Sequence, residues 1–332
     1  RIVAAFGAGT KTLGVSFERE PTEKKTGSPG WYNNRAFEEF ASAEGLYAET
    51  FEADAFSPET KQKVIDTIKS DLEGSVDLVI YSLATGVRPK SDGTLWRSAL
   101  KPIGEDYTAR SVDPTEGTLS QVTVESATED EIEATVKVMG GEDWQDWIST
   151  LKDAGVLAEG AVTVAYSYLG PELTQPVYRD GTIGKAKEHL ENTAKTLSGQ
   201  LKDIGGSAYV SINKAVVTRA SAVIPVVPLY LALLFKVMKE KGLHEGCIEQ
   251  MHRLFTDRLY SNGEVPTDAD GRIRVDDWEM RDDVQGAVEA VWPTITEENL
   301  EKLTDLETYR TEFLQVHGFG FPEVDYEKDV QP

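Results

Sequence analysis

Largely apolar segments of strand length alternate with amphipathic helical segments along most of the chain. The strand-like runs are apolar nearly throughout, as in residues 76–82, and show no regular alternation of apolar and polar positions. Continuous apolar strands are typical of a parallel sheet buried on both faces. Their alternation with helices favours a doubly wound Rossmann-type fold of the short-chain dehydrogenase/reductase kind. The predicted strands cover residues 12–17, 46–51, 76–82, 161–168 and 207–212.

Helical spacing of apolar residues places helices between these strands. The second of them has Ser57 as N-cap and Pro58 in its first turn. The predicted helices cover residues 35–44, 58–72, 129–138, 144–154, 182 to about 197, 245–260, 279–291 and 306–316. Residues 121–125 alternate in polarity and predict a solvent-facing β excursion.

The alternation of strands and helices divides the chain into a catalytic domain, an insert and a C-terminal extension. We predict a Rossmann-type catalytic domain over residues 1–272, interrupted by a long insert at about 85–160. Residues 273–332 are predicted to form a helical C-terminal extension packed on that domain. The fold class is therefore α/β, with a long insert and a helical appendage.

Composition excludes several classes of function. Lys and Arg number 34 against 57 Asp and Glu, a net charge of −23, which argues against nucleic-acid binding because phosphates would be repelled. The longest apolar stretch, residues 222–235, is shorter than the ~20 residues of a membrane span, so it predicts a buried helix or pocket wall. The single cysteine, Cys247, excludes an internal disulfide and is predicted to be a buried thiol in the cytoplasm.

Acidic residues after two strands suggest a dinucleotide site, although Gly7-Ala8-Gly9 does not form a GxGxxG motif. Glu18 lies where the second Rossmann strand would end, and a carboxylate there binds the adenosine ribose and repels a 2′-phosphate. Asp54 and Ala55 follow the third strand, where an adenine ring would lie. The four histidines have no metal-ligand or triad spacing, so we expect neither a metal nor histidine catalysis.

The strongest candidate for catalysis is Tyr178 with Lys187. Short-chain reductases use a tyrosine as proton donor and a lysine that holds the nicotinamide ribose and lowers the tyrosine pKa. The two residues are nine apart, which would put them on opposite faces of one helix at about 100° per residue. They converge only if the helix begins between them. Asp180-Gly181 is a turn signal and Thr182 a candidate N-cap, so Tyr178 is predicted in the loop and Lys187 on the second turn.

Several motifs together resemble one enzyme family. The tyrosine–lysine segment looks like the Tyr-x8-Lys signature of the bacterial trans-2-enoyl-CoA and enoyl-ACP reductases of the FabV class, and the resemblance covers nearly the whole chain. The segments that carry it are 14–18 (GVSFE), 30–34 (GWYNN), 138–144 (VMGGEDW), 165–172 (AYSYLGPE), 181–190 (GTIGKAKEHL) and 217–225 (VTRASAVIP).

This resemblance implies NADH-dependent reduction of trans-2-enoyl thioesters to acyl thioesters in fatty-acid synthesis, on CoA or on acyl carrier protein. Tyr178 would hydrogen-bond the enolate or donate the proton, Tyr168 would be the second hydroxyl in the site, and Lys187 would bind the cofactor ribose. The other residues implied in cofactor binding are Phe17, Leu83, Ala84 and Thr218. Val227 and Phe235 would line the channel for the acyl chain; the alternative is that they are ordinary residues of the hydrophobic core. We also expect a monomer.

Two other interpretations remain open at this stage. A short-chain ketoreductase acting on 3-oxoacyl thioesters would use the same tyrosine and lysine on a carbonyl, although the nine-residue spacing and the long insert weaken it. An inactive cofactor-binding fragment is the non-enzyme alternative. The family begins with a strand and a Gly-rich turn, whereas this chain begins inside the helix that follows them. We therefore expect upstream residues before Arg1, and a strand-sized gap in the sheet between residues 12–17 and 76–82.

Overall fold

The computed structural model describes residues 6–7, 9–83, 85–218, 221, 224–261 and 263–328. The strands are β1 Lys11–Ser16, β2 Tyr47–Glu52, β3 Val76–Tyr81, β4 Val87–Pro89, β5 Leu95–Arg97, β6 Tyr107–Asp113, β7 Thr118–Val124, β8 Leu157–Ser167, β9 Ser207–Ile212 and β10 Ile273–Arg274. The α-helices are α1 Pro29–Ala43, α2 Pro58–Asp71, α3 Glu129–Met139, α4 Glu142–Asp153, α5 Gln175–Tyr178, α6 Thr182–Leu201, α7 Val227–Glu240, α8 Cys247–Arg253, α9 Asp282–Val291, α10 Leu300–Leu303 and α11 Leu306–Val316.

The central sheet is parallel, as predicted, and comes in two pieces. One piece has the order β10-β9-β8-β3, and the other pairs β1 with β2. No ladder joins β1 to β3 among the described strands, so the predicted interruption of the sheet lies between those two strands. The carboxyl ends of β8 and β9 are neighbours, which brings together the two loops that carry most of the candidate site residues.

A shared apolar core connects the two pieces of the sheet. Val15 of β1 and Val79 of β3 belong to one cluster, together with Ile65 and Ile68 of α2 and Trp147 of α4. The indole Nε1 of Trp147 donates a hydrogen bond to the backbone oxygen of Ala55, at 3.1 Å. Helices α2 and α4 therefore cover the face of the sheet where the ladder is interrupted.

The segment predicted as an insert forms two antiparallel hairpins, β4-β5 and β6-β7, followed by α3 and α4. The predicted β excursion is β7, whose hairpin partner β6 the sequence analysis did not identify. The insert contacts the start of α6, where the backbone N–H of Thr182 donates to the backbone oxygen of Lys101, at 2.9 Å. This contact fixes the insert beside the residues proposed for catalysis.

Helix boundaries follow local capping chemistry in some places and depart from the predictions in others. Ser57 caps α2 as predicted, accepting from the Thr60 N–H. The N-cap of α6 is Gly181, not Thr182, which is the first helical residue. Within the predicted helix at 245–260, the α-helical part covers only Cys247–Arg253, and a π-helical segment follows at Leu254–Leu259. The helix predicted to begin at 279 begins at Asp282, which leaves Glu279 in the preceding segment.

The described part of the apolar stretch at 222–235 is mostly buried, in agreement with the sequence analysis. It enters α7, the central helix of the largest core cluster. None of the helices built from the described residues is long and apolar enough to cross a bilayer. The prediction of a buried Cys247 is wrong, because this thiol is exposed at the first residue of α8. The short helix places it on the surface.

Candidate active site

Tyr178 and Lys187 converge because a turn separates two helices. Tyr178 ends the single-turn helix α5, and the chain reverses through Asp180 and Gly181 before α6 begins. Lys187 lies on the second turn of α6, as predicted. Its ammonium nitrogen is 4.9 Å from the centre of the Tyr178 ring. The prediction that Tyr178 lies in a loop is corrected to a short helix, with the same consequence for the pair.

Tyr168 completes a group of three residues. Its ring meets that of Tyr178 edge to face, with centroids 4.9 Å apart and an interplanar angle of 85°. The Lys187 ammonium donates a hydrogen bond to the backbone oxygen of Tyr168 and lies 5.6 Å from its ring centre. The structure therefore brings all three predicted catalytic residues together, where the loop after β8 meets α6.

Burial controls the ionisation of these groups. It lowers the pKa of the Lys187 ammonium to about 7, while the Glu191 carboxylate favours the charged form. Burial raises the pKa of the Tyr178 hydroxyl, and the negative charge of Glu279 raises it further. The predicted lowering of this pKa is therefore wrong, since burial and the negative charge of Glu279 both raise it. Tyr178 consequently keeps its proton.

A cavity of about 480 Å³ opens at this group. Its lining includes Tyr178 and Lys187 together with Arg272 and Met280. The Arg272 guanidinium lies 3.2 Å from the Glu191 carboxylate. A buried ammonium and a protonated phenol at the edge of one cavity suit the binding of a polar group that gains negative charge.

Glu18 lies at the carboxyl end of β1, as predicted. Its backbone N–H donates to the Glu52 carboxylate at 3.2 Å, and its side chain lies against Gly30, where a Cβ would collide with it. Glycine at the start of α1 therefore leaves room for this carboxylate. Phe17 is 85% exposed beside it. The end of β1 therefore presents an uncovered phenylalanine beside the Glu18 carboxylate.

The remaining predicted cofactor residues lie at the carboxyl ends of other strands. The Asp54 carboxylate accepts from the Phe56 N–H at 2.9 Å, and Ala55 is buried. Leu83 follows β3 and packs on the shared core, whereas Ala84 lies outside the described residues. Thr218, after β9, is exposed and exchanges backbone-to-hydroxyl hydrogen bonds with Ser221. Parallel strands thus bring these positions to one edge of the sheet.

The two predicted acyl-channel residues are both deep in the largest core cluster. Val227 begins α7 and is 3% exposed, and Phe235 lies two turns further along and is 1% exposed. Tyr178 belongs to the same cluster. The Phe235 ring contacts the imidazole of His244 edge to face, with centroids 4.9 Å apart. Their role in substrate binding stays a prediction.

Sequence reasoning did not identify two polar residues next to the site. Glu279 is completely buried and accepts hydrogen bonds from the hydroxyls of Tyr168, at 3.0 Å, and Tyr230, at 2.7 Å. Tyr230 could have been found, because a hydroxyl inside an apolar run requires a buried partner. Glu279 had no local signal, since one carboxylate between a tryptophan and a methionine resembles many surface positions. In the described part of the chain, no group of His, Cys, Asp and Glu could hold a metal ion.

Comparison with known families identifies the chain over nearly its whole length. Residues 25–260 match the family described as the trans-2-enoyl-CoA reductase catalytic region. Residues 267–330 match a second family, described as the enoyl reductase FAD binding domain. The first match alone spans more than half of the chain.

Individual relatives agree with the family match. An enoyl-[acyl-carrier-protein] reductase [NADH] of Flavobacterium johnsoniae is 58% identical, covering 99% of this chain and 83% of the relative. One of Coxiella burnetii is 56% identical, covering 100% of this chain and 82% of the relative. The crystal structure of Treponema denticola trans-2-enoyl-CoA reductase in complex with NAD is 55% identical, with a TM-score of 0.94, covering 99% of this chain and 82% of that one.

A more distant solved relative leads to the same conclusion. The trans-2-enoyl-CoA reductase of Clostridium acetobutylicum in complex with NAD is 47% identical, with a TM-score of 0.95, covering 100% of this chain and 86% of that one. These matches overturn the alternative of a short-chain ketoreductase. The chain belongs to the family of trans-2-enoyl-CoA and NADH-dependent enoyl-acyl-carrier-protein reductases.

Proposed function

We propose that this chain reduces the C2–C3 double bond of trans-2-enoyl thioesters with NADH. In this reaction the Tyr178 hydroxyl hydrogen-bonds the oxygen of the reacting thioester. Family membership makes the chain an NADH-dependent oxidoreductase acting on a carbon–carbon double bond. The observation that supports the residue assignment is the contact group of Tyr178, Tyr168 and Lys187 at the edge of one cavity.

The chemistry assigns a task to each residue. NADH, when bound, supplies the hydride that adds to C3 of the enoyl group. Negative charge then develops on the thioester oxygen, and the protonated Tyr178 hydroxyl stabilises that oxygen by hydrogen bonding before C2 is protonated. One N–H of the Lys187 ammonium donates to the backbone oxygen of Tyr168. The other N–H groups are available to donate to ribose hydroxyls. Tyr168 keeps the Tyr178 ring in place through their edge-to-face contact.

The residues at the edge of the sheet fit NADH. The Glu18 carboxylate, with room provided by Gly30, would accept hydrogen bonds from the adenosine ribose and repel a 2′-phosphate. Asp54 and Ala55 would border the adenine, and Leu83 and Thr218 the nicotinamide half. These assignments are supported by position: Glu18, Asp54, Ala55 and Leu83 lie within three residues of a strand end, and Thr218 lies in the segment that follows β9.

The chain's residues give no support for a flavin, although the second family is described by FAD binding. A dinucleotide pyrophosphate is held by a Gly-rich turn between a strand and a helix. The segment from β10 to α9, residues 275–281, contains no glycine. The apolar face of this region, with Val284, Leu300 and Leu306, is buried in the core around α7. We derive no step through a flavin.

We further propose CoA thioesters as the preferred substrates, with the chain acting as a monomer in the cytoplasm. Carrier proteins are acidic and would be repelled by a net charge of −23. The cavity lining does not offset this charge, because it contains four basic and four acidic side chains. These are Arg179, Lys187, Arg272 and Arg274 against Glu188, Glu191, Asp268 and Asp270. The exposed free thiol of Cys247 fits a reducing compartment.

Oxidation of NADH with crotonyl-CoA tests the reaction and the role of Tyr178 together. We expect turnover with crotonyl-CoA and none with acetoacetyl-CoA, and Tyr178→Phe should lower kcat by about 10²- to 10⁴-fold. The affinity for NADH, measured by fluorescence titration, should stay close to that of the unmodified protein because the ring and Lys187 remain. A variant that keeps more than about a tenth of kcat would contradict the assignment of Tyr178.

A further inference from the structure

The Glu279 carboxylate joins three parts of the molecule around the site. The Tyr168 hydroxyl, at the end of β8, and the Tyr230 hydroxyl, on α7, both donate to its Oε1. The backbone N–H of Ala215, in the loop after β9, donates to its Oε2 at 2.7 Å. Glu279 itself lies between β10 and α9 and is 0% exposed.

Such an arrangement needs a reason, because burying a carboxylate is unfavourable. The unfavourable free energy is offset only when donors satisfy the oxygens. Here both oxygens are satisfied by protein donors. Burial raises the pKa of the Glu279 carboxyl, while the positive charge of Lys214 favours its charged form. An apolar side chain in this place would leave the two tyrosine hydroxyls and the Ala215 N–H without an acceptor. The carboxylate is therefore better explained by what it does to the groups that it holds.

Tyr168 transmits the position of Glu279 to both other members of the site. Its hydroxyl is held by Glu279, its ring contacts Tyr178, and its backbone oxygen accepts from Lys187. Because the Tyr168 proton is directed to Glu279, Tyr168 cannot donate that proton elsewhere. The Tyr178 hydroxyl makes no hydrogen bond to another described residue, so it remains the hydroxyl available to a ligand.

We propose that Glu279 is a positioning residue for the reduction: it fixes the Tyr168 ring and directs its proton away from the cavity, so that Tyr178 alone serves the thioester oxygen. The inference rests on the proposed function, because it assumes that Tyr178 and Tyr168 belong to the active site. Glu279 touches no reacting atom. Its charge also raises the pKa of the Tyr178 hydroxyl, but the contact by which it reaches the site is the hydrogen bond from Tyr168.

A double-mutant cycle tests whether Glu279 acts through Tyr168. Glu279→Gln keeps the shape but presents an amide N–H₂ either to the tyrosine hydroxyls or to the Ala215 N–H. Tyr168→Phe keeps the ring and removes the hydroxyl. Each single variant should lower kcat with crotonyl-CoA about ten- to hundredfold, with the KM for NADH within about threefold. The double variant should be no slower than the slower single variant.

The controls separate positioning from loss of stability. Glu245→Gln alters another buried carboxylate, paired with Arg253 at 2.6 Å and in contact with neither tyrosine. It should lower the melting temperature and leave kcat within about threefold. If Glu279→Gln does not fold, Glu279→Asp replaces it in the cycle, because it keeps the charge but withdraws the carboxylate from Tyr168.

The outcomes are distinct. Losses in kcat that multiply in the double variant, or a Glu279 variant with unchanged kcat, would overturn the positioning role. An active Tyr178→Phe protein would instead overturn the proposed function, whatever the cycle gives. Non-additive losses with native-like NADH binding are the result that we expect.

Discussion

Lys187 should make activity and stability respond to pH in opposite directions. Burial lowers the pKa of its ammonium to about 7 in the folded protein, against about 10.4 in the unfolded chain. Between these two values the unfolded state binds more protons than the folded state. The free energy of unfolding therefore rises with pH over this window, by about 1.4 kcal/mol per pH unit and about 4–5 kcal/mol in total.

Loss of the proton from Lys187 should also weaken the binding of NADH. If the charged ammonium binds the NADH ribose, kcat/KM for NADH reports the pKa of the free enzyme. We expect kcat/KM to fall above pH about 7, approaching tenfold per pH unit. Glu191→Gln removes the carboxylate that favours the charged form of Lys187. In this variant kcat/KM for NADH should therefore begin to fall at a lower pH. In Lys187→Arg the guanidinium stays charged, and the decline should disappear.

Two measurements check this reasoning. Urea denaturation at several pH values should show the unmodified protein gaining stability relative to Lys187→Met above pH about 7. Steady-state kinetics on the same samples should show kcat/KM falling. The reasoning is refuted if the stability difference between the two proteins is independent of pH, or if Lys187→Arg shows the same decline as the unmodified enzyme.

Two further predictions address the cofactor and the core. Glu18→Gln should raise kcat/KM for NADPH relative to NADH by about tenfold, because a like charge near the 2′-phosphate is removed. The exposed neighbour Glu20→Gln is the matched control, and equal use of both cofactors by the unmodified enzyme would contradict the role of Glu18. Leu197→Ala should lower the free energy of unfolding by about 2–5 kcal/mol, since Leu197 is completely buried on α6 against the cluster of Trp144 and Val210. Its kcat, measured well below the melting temperature, should stay near that of the unmodified protein, and a tenfold loss would mean that packing at this end of α6 controls the site.

Local signals predicted the elements that position the site. Apolar strand composition gave the parallel strands within a few residues, and Ser57-Pro58 marked the start of α2 because capping is a local interaction. Signals of the same kind failed at Cys247 and at residues 279–281. Whether a thiol is buried, or whether helical spacing continues for one more turn, depends on neighbours that are distant in the sequence.

The convergence of Tyr178 and Lys187 could be predicted from the chain once the resemblance to the family had singled out this pair. A turn at Asp180-Gly181 must lie between them, and the periodicity of the helix then decides which side of α6 faces the tyrosine. The continuous apolar strands likewise favoured a parallel sheet, because strands of this composition are typical of sheets buried on both faces. These predictions use only patterns that are visible in short stretches of the sequence.

Only the tertiary structure decided which polar groups are buried beside that pair. Glu279 meets Tyr168 across 111 positions of sequence, and it becomes a buried acceptor because α7, β8 and the loop after β9 enclose it. Likewise, the low pKa of Lys187 results from desolvation by the surrounding fold. A sequence pattern records periodicity and local chemistry, whereas burial and long-range hydrogen bonding exist only once the chain is packed.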